Sequence, residues 1–160
     1  MKLLGIVPAA LLAVTKHTAV TWFIDGQNLQ GHKGTPRDRE TIALKVKPIK
    51  AAEKVILVFD GQKGITEDRI EEEGIFRNVF LREGASADEY ILNQINSLIP
   101  ERPRRKVQVV TADRALRNKV LRSKFVVYGV VNPVVFWKRY LPRLCGMKSD
   151  YTNTPTEEEN

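Results

Sequence analysis

Soft metal ligands are almost missing from this 160-residue chain: it has one cysteine, Cys145, and two histidines, His17 and His32. A single thiol cannot close an internal disulfide or build a cysteine zinc site. The two histidines stand at no metal-ligand spacing. Any metal the chain holds must therefore take oxygen ligands, which points to Mg²⁺ or Mn²⁺. Phosphate-cradling glycines are missing too, since "GQNLQGHKG" is neither G-x-G-x-x-G nor a Walker loop, so a nucleotide cofactor has little support. There is no internal repeat, and no apolar run is long enough to span a bilayer as a helix.

Net negative charge is the remaining absence. Lys and Arg number 26 against 19 Asp and Glu, a formal +7, and four of the acids (Asp150, Glu157, Glu158, Glu159) crowd into the polar tail. A basic body favours a polyanionic partner, nucleic acid before others. The length fits one domain with a single sizeable core. Three segments are expected: an apolar arm at 1–18, one domain at 19–146 and a disordered acidic tail at 147–160. The arm, "MKLLGIVPAALLAV", is broken by Pro8 and reads either as a targeting remnant or as a segment packed on the domain. Cytoplasmic and organellar locations, a plastid included, are both compatible with it, and no membrane association is expected of the mature form.

Five apolar, β-branched runs recur along the chain: 19–24, 54–59, 75–81, 107–111 and 125–131. The second and fourth are nearly continuous in apolar content, as strands covered on both faces are. Helical segments lie between them. Residues 36–52 are helical in composition, with Pro48 as an end or kink. "SADEYILNQINSLI" carries apolar residues at helical spacing behind a Ser86/Glu89 capping box. "RALRNKVLRS" is a short basic helix, and "PVVFWKRYLPRL" closes the domain after Asn132 and Pro133. "EDRIEEE" reads as a short, charged, solvated connection. The alternation predicts an α/β fold with a mainly parallel sheet.

Carboxylates punctuate this pattern. Asp25 ends the first strand, Asp60 the second and Asp113 the fourth, while Asp88 lies in the first turn of the helix after the third. Ligands of open α/β sheets bind beyond the carboxyl ends of the strands, where the strand order reverses. If the first and fourth strands are neighbours, Asp25 and Asp113 face each other there and Asp88 closes the third side. Such crowding raises carboxyl pKa values unless a cation is present. A divalent cation would relieve it and activate water against a phosphodiester. Asn28 suits this site because its amide can meet a metal or a phosphate, and Thr111 offers a hydroxyl in the same way. Each residue also has a plainer reading: Asp25-Gly26 as a turn, Asp88 as a helix-dipole partner, Asp113 as an N-cap. Asp60 reads as a turn or as a more distant site carboxylate.

The ordered set "FIDGQNLQG", "VILVFDGQ", "VFLREGASADEYI" and "VQVVTADRALRN" resembles NYN domains of the YacP-like group, within the PIN-like superfamily of ribonucleases. The likeness spans residues 19–144. It implies a three-layer PIN-like (Rossmann-like) fold with a mainly parallel five-stranded sheet in the order 3-2-1-4-5. It also implies metal-dependent endoribonuclease chemistry with Asp25, Asn28, Asp88 and Asp113 as catalytic residues. In that scheme Asp25, Asp88 and Asp113, with Asp60 as a further possibility, hold Mg²⁺ or Mn²⁺. Action on messenger RNA at the ribosome is a further implication. The chain departs from the family pattern at Gln27, where a tyrosine is usual, and in compact loops after Gly31 and over residues 61–74.

Single-stranded RNA is the expected substrate, with Arg114 and Arg117, at the start of the basic helix beside Asp113, as its contacts, joined by Lys33 and Thr111. Trp137 and Tyr140 read as core rather than as base-stacking residues. A non-catalytic RNA- or ribosome-binding NYN module is the alternative. A phosphatase of the haloacid dehalogenase type needs a second aspartate two residues after Asp25, where this chain has Gln27.

Overall fold

A computed structural model describes residues 20–31, 34–98, 106–122 and 127–147. The arm 1–18, Lys33 and residues 148–160 lie outside the described residues. The runs read as strands form a parallel core because each alternates two apolar faces and both faces are covered. β1 (Val20–Asp25) is buried at every position, and β2 (Lys54–Phe59) from Val55 onward. β1 is parallel to β2 and to β5 (Lys106–Val110), β2 is also parallel to β4 (Phe76–Phe80), and β5 to β6 (Val127–Val131).

The sheet has six strands in the order β3-β4-β2-β1-β5-β6. The five expected strands occupy the order implied by the family resemblance. The sixth is a correction. β3 (Arg69–Glu73), within the segment read as a solvated connection, pairs antiparallel with β4 at the sheet edge. All five of its residues are exposed, so no apolar alternation marks it. It is held by a two-residue hairpin loop, Gly74-Ile75, whose first residue has φ +58°, the glycine-requiring position of a II′-type turn.

Helices cover both faces. On one, α1 (Gly26–Gln30) and α2 (Arg39–Val46) join a closing helical segment in burying Trp22, Ile24, Leu57, Phe59 and Phe136. That closing segment is α5 (Pro133–Val135), a wide π turn (Phe136–Tyr140) and α6 (Leu141–Leu144). Its wide turn immediately precedes Pro142, which can neither donate a helical hydrogen bond nor fit against a regular preceding turn. Trp137 and Tyr140 pack against this core, and Tyr140 lies 5.5 Å from the Trp22 ring. On the other face, α3 (Ala87–Leu98) and α4 (Arg114–Arg122) bury Ile91, Ile95, Leu116 and Val120 against Phe23, Val58 and Val109. The result is three layers. α2 is shorter than the helical composition of 36–52 predicts: Asp38 caps it through Thr41 N at 2.9 Å, and it stops before Pro48. No helix among the described residues is long and apolar enough to cross a membrane.

The feature that positions the site is the reversal at β1. From β1 the chain moves outward through β2 to β4 and β3, then returns to place β5 on the other side of β1, with Ile24 opposite Val110. The carboxyl ends of β1 and β5 therefore diverge side by side, as at the ligand crevice of open α/β sheets.

Candidate functional site

Asp25 is the last residue of β1 and only 2 % exposed. Its carboxylate caps the one-turn helix α1, accepting Asn28 N–H at Oδ1, while the Asn28 side-chain amide donates to Oδ2. Thr111, just past β5, donates its hydroxyl to the same Oδ2 at 3.3 Å. The other end of the Asn28 amide accepts Ala112 N–H at 3.2 Å. A carboxylate on one side and an N–H on the other fix which end of the amide is oxygen. Asn28 thus ties the end of β1 to the loop after β5. Thr111 is 3 % exposed, and its hydroxyl also accepts Asp113 N–H at 3.1 Å. The Thr111 hydroxyl, expected to contact RNA, here joins Asp25 to the backbone of Asp113. Gly26 is required by space rather than by its φ, because a Cβ there would come within 2.4 Å of the Phe59 ring.

Asp113 accepts Leu116 N–H at 3.0 Å and so caps α4, as its plainer reading predicts, yet this does not remove it from the crevice. Asp88, in the first turn of α3, lies near enough to Asp113 for its carboxyl to feel that charge. Ser86 caps α3 by accepting Glu89 N–H at 3.2 Å, one half of the expected capping box. Asp60 follows β2, and its Oδ1 accepts Ala87 N–H at 2.8 Å.

The electrostatics confirm that these groups feel one another. Burial pushes the Asp25 carboxyl up to about 6, helped by the charges of Asp88 and Asp60 and opposed by the two Asn28 hydrogen bonds. Asp88 is also raised, first by burial, then by Asp113 and Asp60, with Lys119 pulling the other way. Sequence reasoning placed Lys119 only among the basic residues of its helix, and it is α4 packing beside α3 that brings it to Asp88.

Among the described residues, no group of three or more His, Cys, Asp or Glu side chains is gathered to hold a metal ion. The donor set is nonetheless that of a hard cation, with carboxylate, amide and hydroxyl oxygens and no thiol or imidazole. Two of the carboxyls are pushed toward their neutral forms, first by burial and then by acidic neighbours, and a bound cation would oppose both. In donor type and in charge the residues fit Mg²⁺ or Mn²⁺.

Arg114 and Arg117 are exposed on α4, which buries Leu116 and Val120. Two surface hollows of about 420 and 320 Å³ lie elsewhere, and neither is lined by Asp25, Asp60, Asp88 or Asp113.

No curated protein and no solved structure matches the chain. A family model described as YacP-like NYN domain matches residues 17–124, a span from just ahead of β1 to just beyond α4 that includes every carboxylate of the crevice. Such membership implies a nuclease or RNA-related function, with RNA as partner. The chain belongs to the YacP-like NYN domain family.

Proposed function

We propose that this protein is a metal-dependent endoribonuclease that cleaves single-stranded RNA. The observation that supports the reading is a chain of like charges at the strand ends: Asp88 and Asp60 act on Asp25, and Asp113 and Asp60 act on Asp88. Asp25, Asp88 and Asp113 would hold Mg²⁺ or Mn²⁺, which supplies an activated water and stabilises the leaving oxygen when bound. Asn28 and Thr111 hold the Asp25 carboxylate in orientation through three hydrogen bonds to it. The exposed guanidiniums of Arg114 and Arg117 meet the phosphates of the strand and fix its register. Lys119 offsets part of the charge at Asp88. Ribosome association is a narrower form of the same proposal.

A second reading, an RNA- or ribosome-binding module without cleavage, is favoured by one observation, the lack of a gathered three-ligand group among the described residues. Incubating total RNA with Mn²⁺ and mapping new ends in wild type and Asp113→Asn separates the two. Ends made by wild type and lost in the variant support the nuclease. RNA retention without new ends in either protein supports the module.

A further inference from the structure

The Asp60 carboxylate ties the end of β2 to the start of α3. Its Oδ1 accepts the N–H of Ala87, the first residue of α3, at 2.8 Å. The next residue is Asp88. The first N–H groups of a helix have no partner within it, so this bond and the Ser86 cap on Glu89 N–H fix the exposed start of α3. The adjacent residue strengthens the connection. Gly61 N–H donates to Ala85 O at 2.8 Å, and the backbone runs so close that a Cβ on Gly61 would lie 1.9 Å from Arg82 O. On the other side, the Arg39 guanidinium lies over the Phe59 ring at 4.9 Å and donates to Asp60 O at 3.3 Å. Asp60 is thus held from α2 and itself holds α3.

We propose that Asp60 is a positioning residue, which sets the start of α3 and so presents Asp88 to the crevice, rather than a metal ligand. The inference rests on the nuclease reading for its catalytic consequence, but its structural half stands apart from it. It predicts a difference between two substitutions that remove the same charge. Asn keeps an oxygen able to accept Ala87 N–H, whereas Ala does not.

The test measures amide hydrogen exchange over residues 87–90, RNA cleavage, and the Mn²⁺ concentration giving half-maximal rate, in Asp60→Asn and Asp60→Ala. Asp60→Ala should speed exchange at these amides by about 2- to 30-fold, the range of a lost cap, and lower cleavage by about tenfold, as a displaced catalytic group does. Asp60→Asn should keep wild-type exchange, wild-type Mn²⁺ requirement and cleavage within about threefold, because the acceptor survives. If Asp60→Asn raises the Mn²⁺ requirement and silences cleavage with exchange unchanged, Asp60 is a ligand and the proposal is wrong. It is equally wrong if Asp60→Ala leaves exchange and cleavage at wild-type values, or if both variants are impaired alike. If wild type cleaves no RNA, the nuclease reading fails by itself, and the exchange comparison alone decides whether Asp60 holds α3.

Discussion

The edge hairpin and the strand-end crevice are both rich in carboxylates, and they treat them in opposite ways. On and beside β3, Glu71 pairs with Arg69 at 3.5 Å, Asp68 with Arg82 at 3.1 Å, Glu72 with Arg77 and Glu73 with Lys47. These side chains are mostly exposed, and such pairs contribute little. Their use is to charge an open sheet edge against pairing with another chain. In the crevice, no ion pair involves Asp25, Asp60, Asp88 or Asp113 among the described residues. There the carboxylates are tied by hydrogen bonds into place and left to repel each other. A charge run with a cation for every acid is a surface. In the crevice the acids are not matched one for one: only Lys119 acts against the raised carboxyl of Asp88, and Asp25 is buried.

The largest effect expected from this contrast is on cleavage. Asp25→Asn and Asp113→Asn should lower RNA cleavage by about 100-fold or more, since even outer-shell partners of metals cost 10- to 100-fold. Glu71→Gln on the hairpin should leave it unchanged. Mapped ends from total RNA, with circular dichroism to check the fold, read both at once. Loss of activity in the hairpin variant would erase the distinction.

Next comes metal and pH. Mn²⁺ at about 100 times its Kd should stabilise wild type by roughly 3 kcal/mol, seen as a rise in Tm. EDTA should remove both the rise and the cleavage. Carboxylates must be ionised to bind metal. With Asp25 near 6, the rise should shrink as pH falls from 7.5 to 5.

A smaller effect is the stability of the metal-free protein. Asp25 holds its proton more tightly folded than unfolded, so folding binds protons between about 4 and 6. Stability must then fall as pH rises through that window and stay lowered above it. Asp25→Asn should therefore stabilise the metal-free protein at pH 7.5 by on the order of 1–3 kcal/mol, seen as a higher Tm, and leave it nearly unchanged at pH 4. Thermal melts at the two pH values check this. Glu71→Gln should fall within about 0.5 kcal/mol of wild type at both.

The smallest expected effect is on RNA binding. Arg114→Ala and Arg117→Ala should each weaken it a fewfold and reduce the slope of log affinity against log salt by about 1. A shift assay over a salt series shows it.

The parallel core was legible because β1, β2 and β5 are short, β-branched and largely apolar on both faces, and helical segments separate them. β3 was not, because Arg-Ile-Glu-Glu-Glu carries neither alternation nor β-propensity. Its strand state comes from pairing with β4 across Gly74, a tertiary override of local preference. At the site, the positions of Asp25, Asp88 and Asp113 could be read from strand ends and a helix start. What each does beyond that could not. The capture of Ala87 N–H by Asp60 depends on two loops meeting at Gly61, and the bridge made by Asn28 depends on β1 lying beside β5. The bonds of the Thr111 hydroxyl to Asp25 and Asp113 were not legible either, since they too depend on β1 lying beside β5.

The central claim is that Asp25, Asp88 and Asp113 share one cation. Anomalous diffraction from crystals soaked in Mn²⁺ tests it directly. A manganese peak in contact with oxygens of all three side chains is the predicted result. No peak in the crevice, with manganese found only among the glutamates of the hairpin, would contradict it.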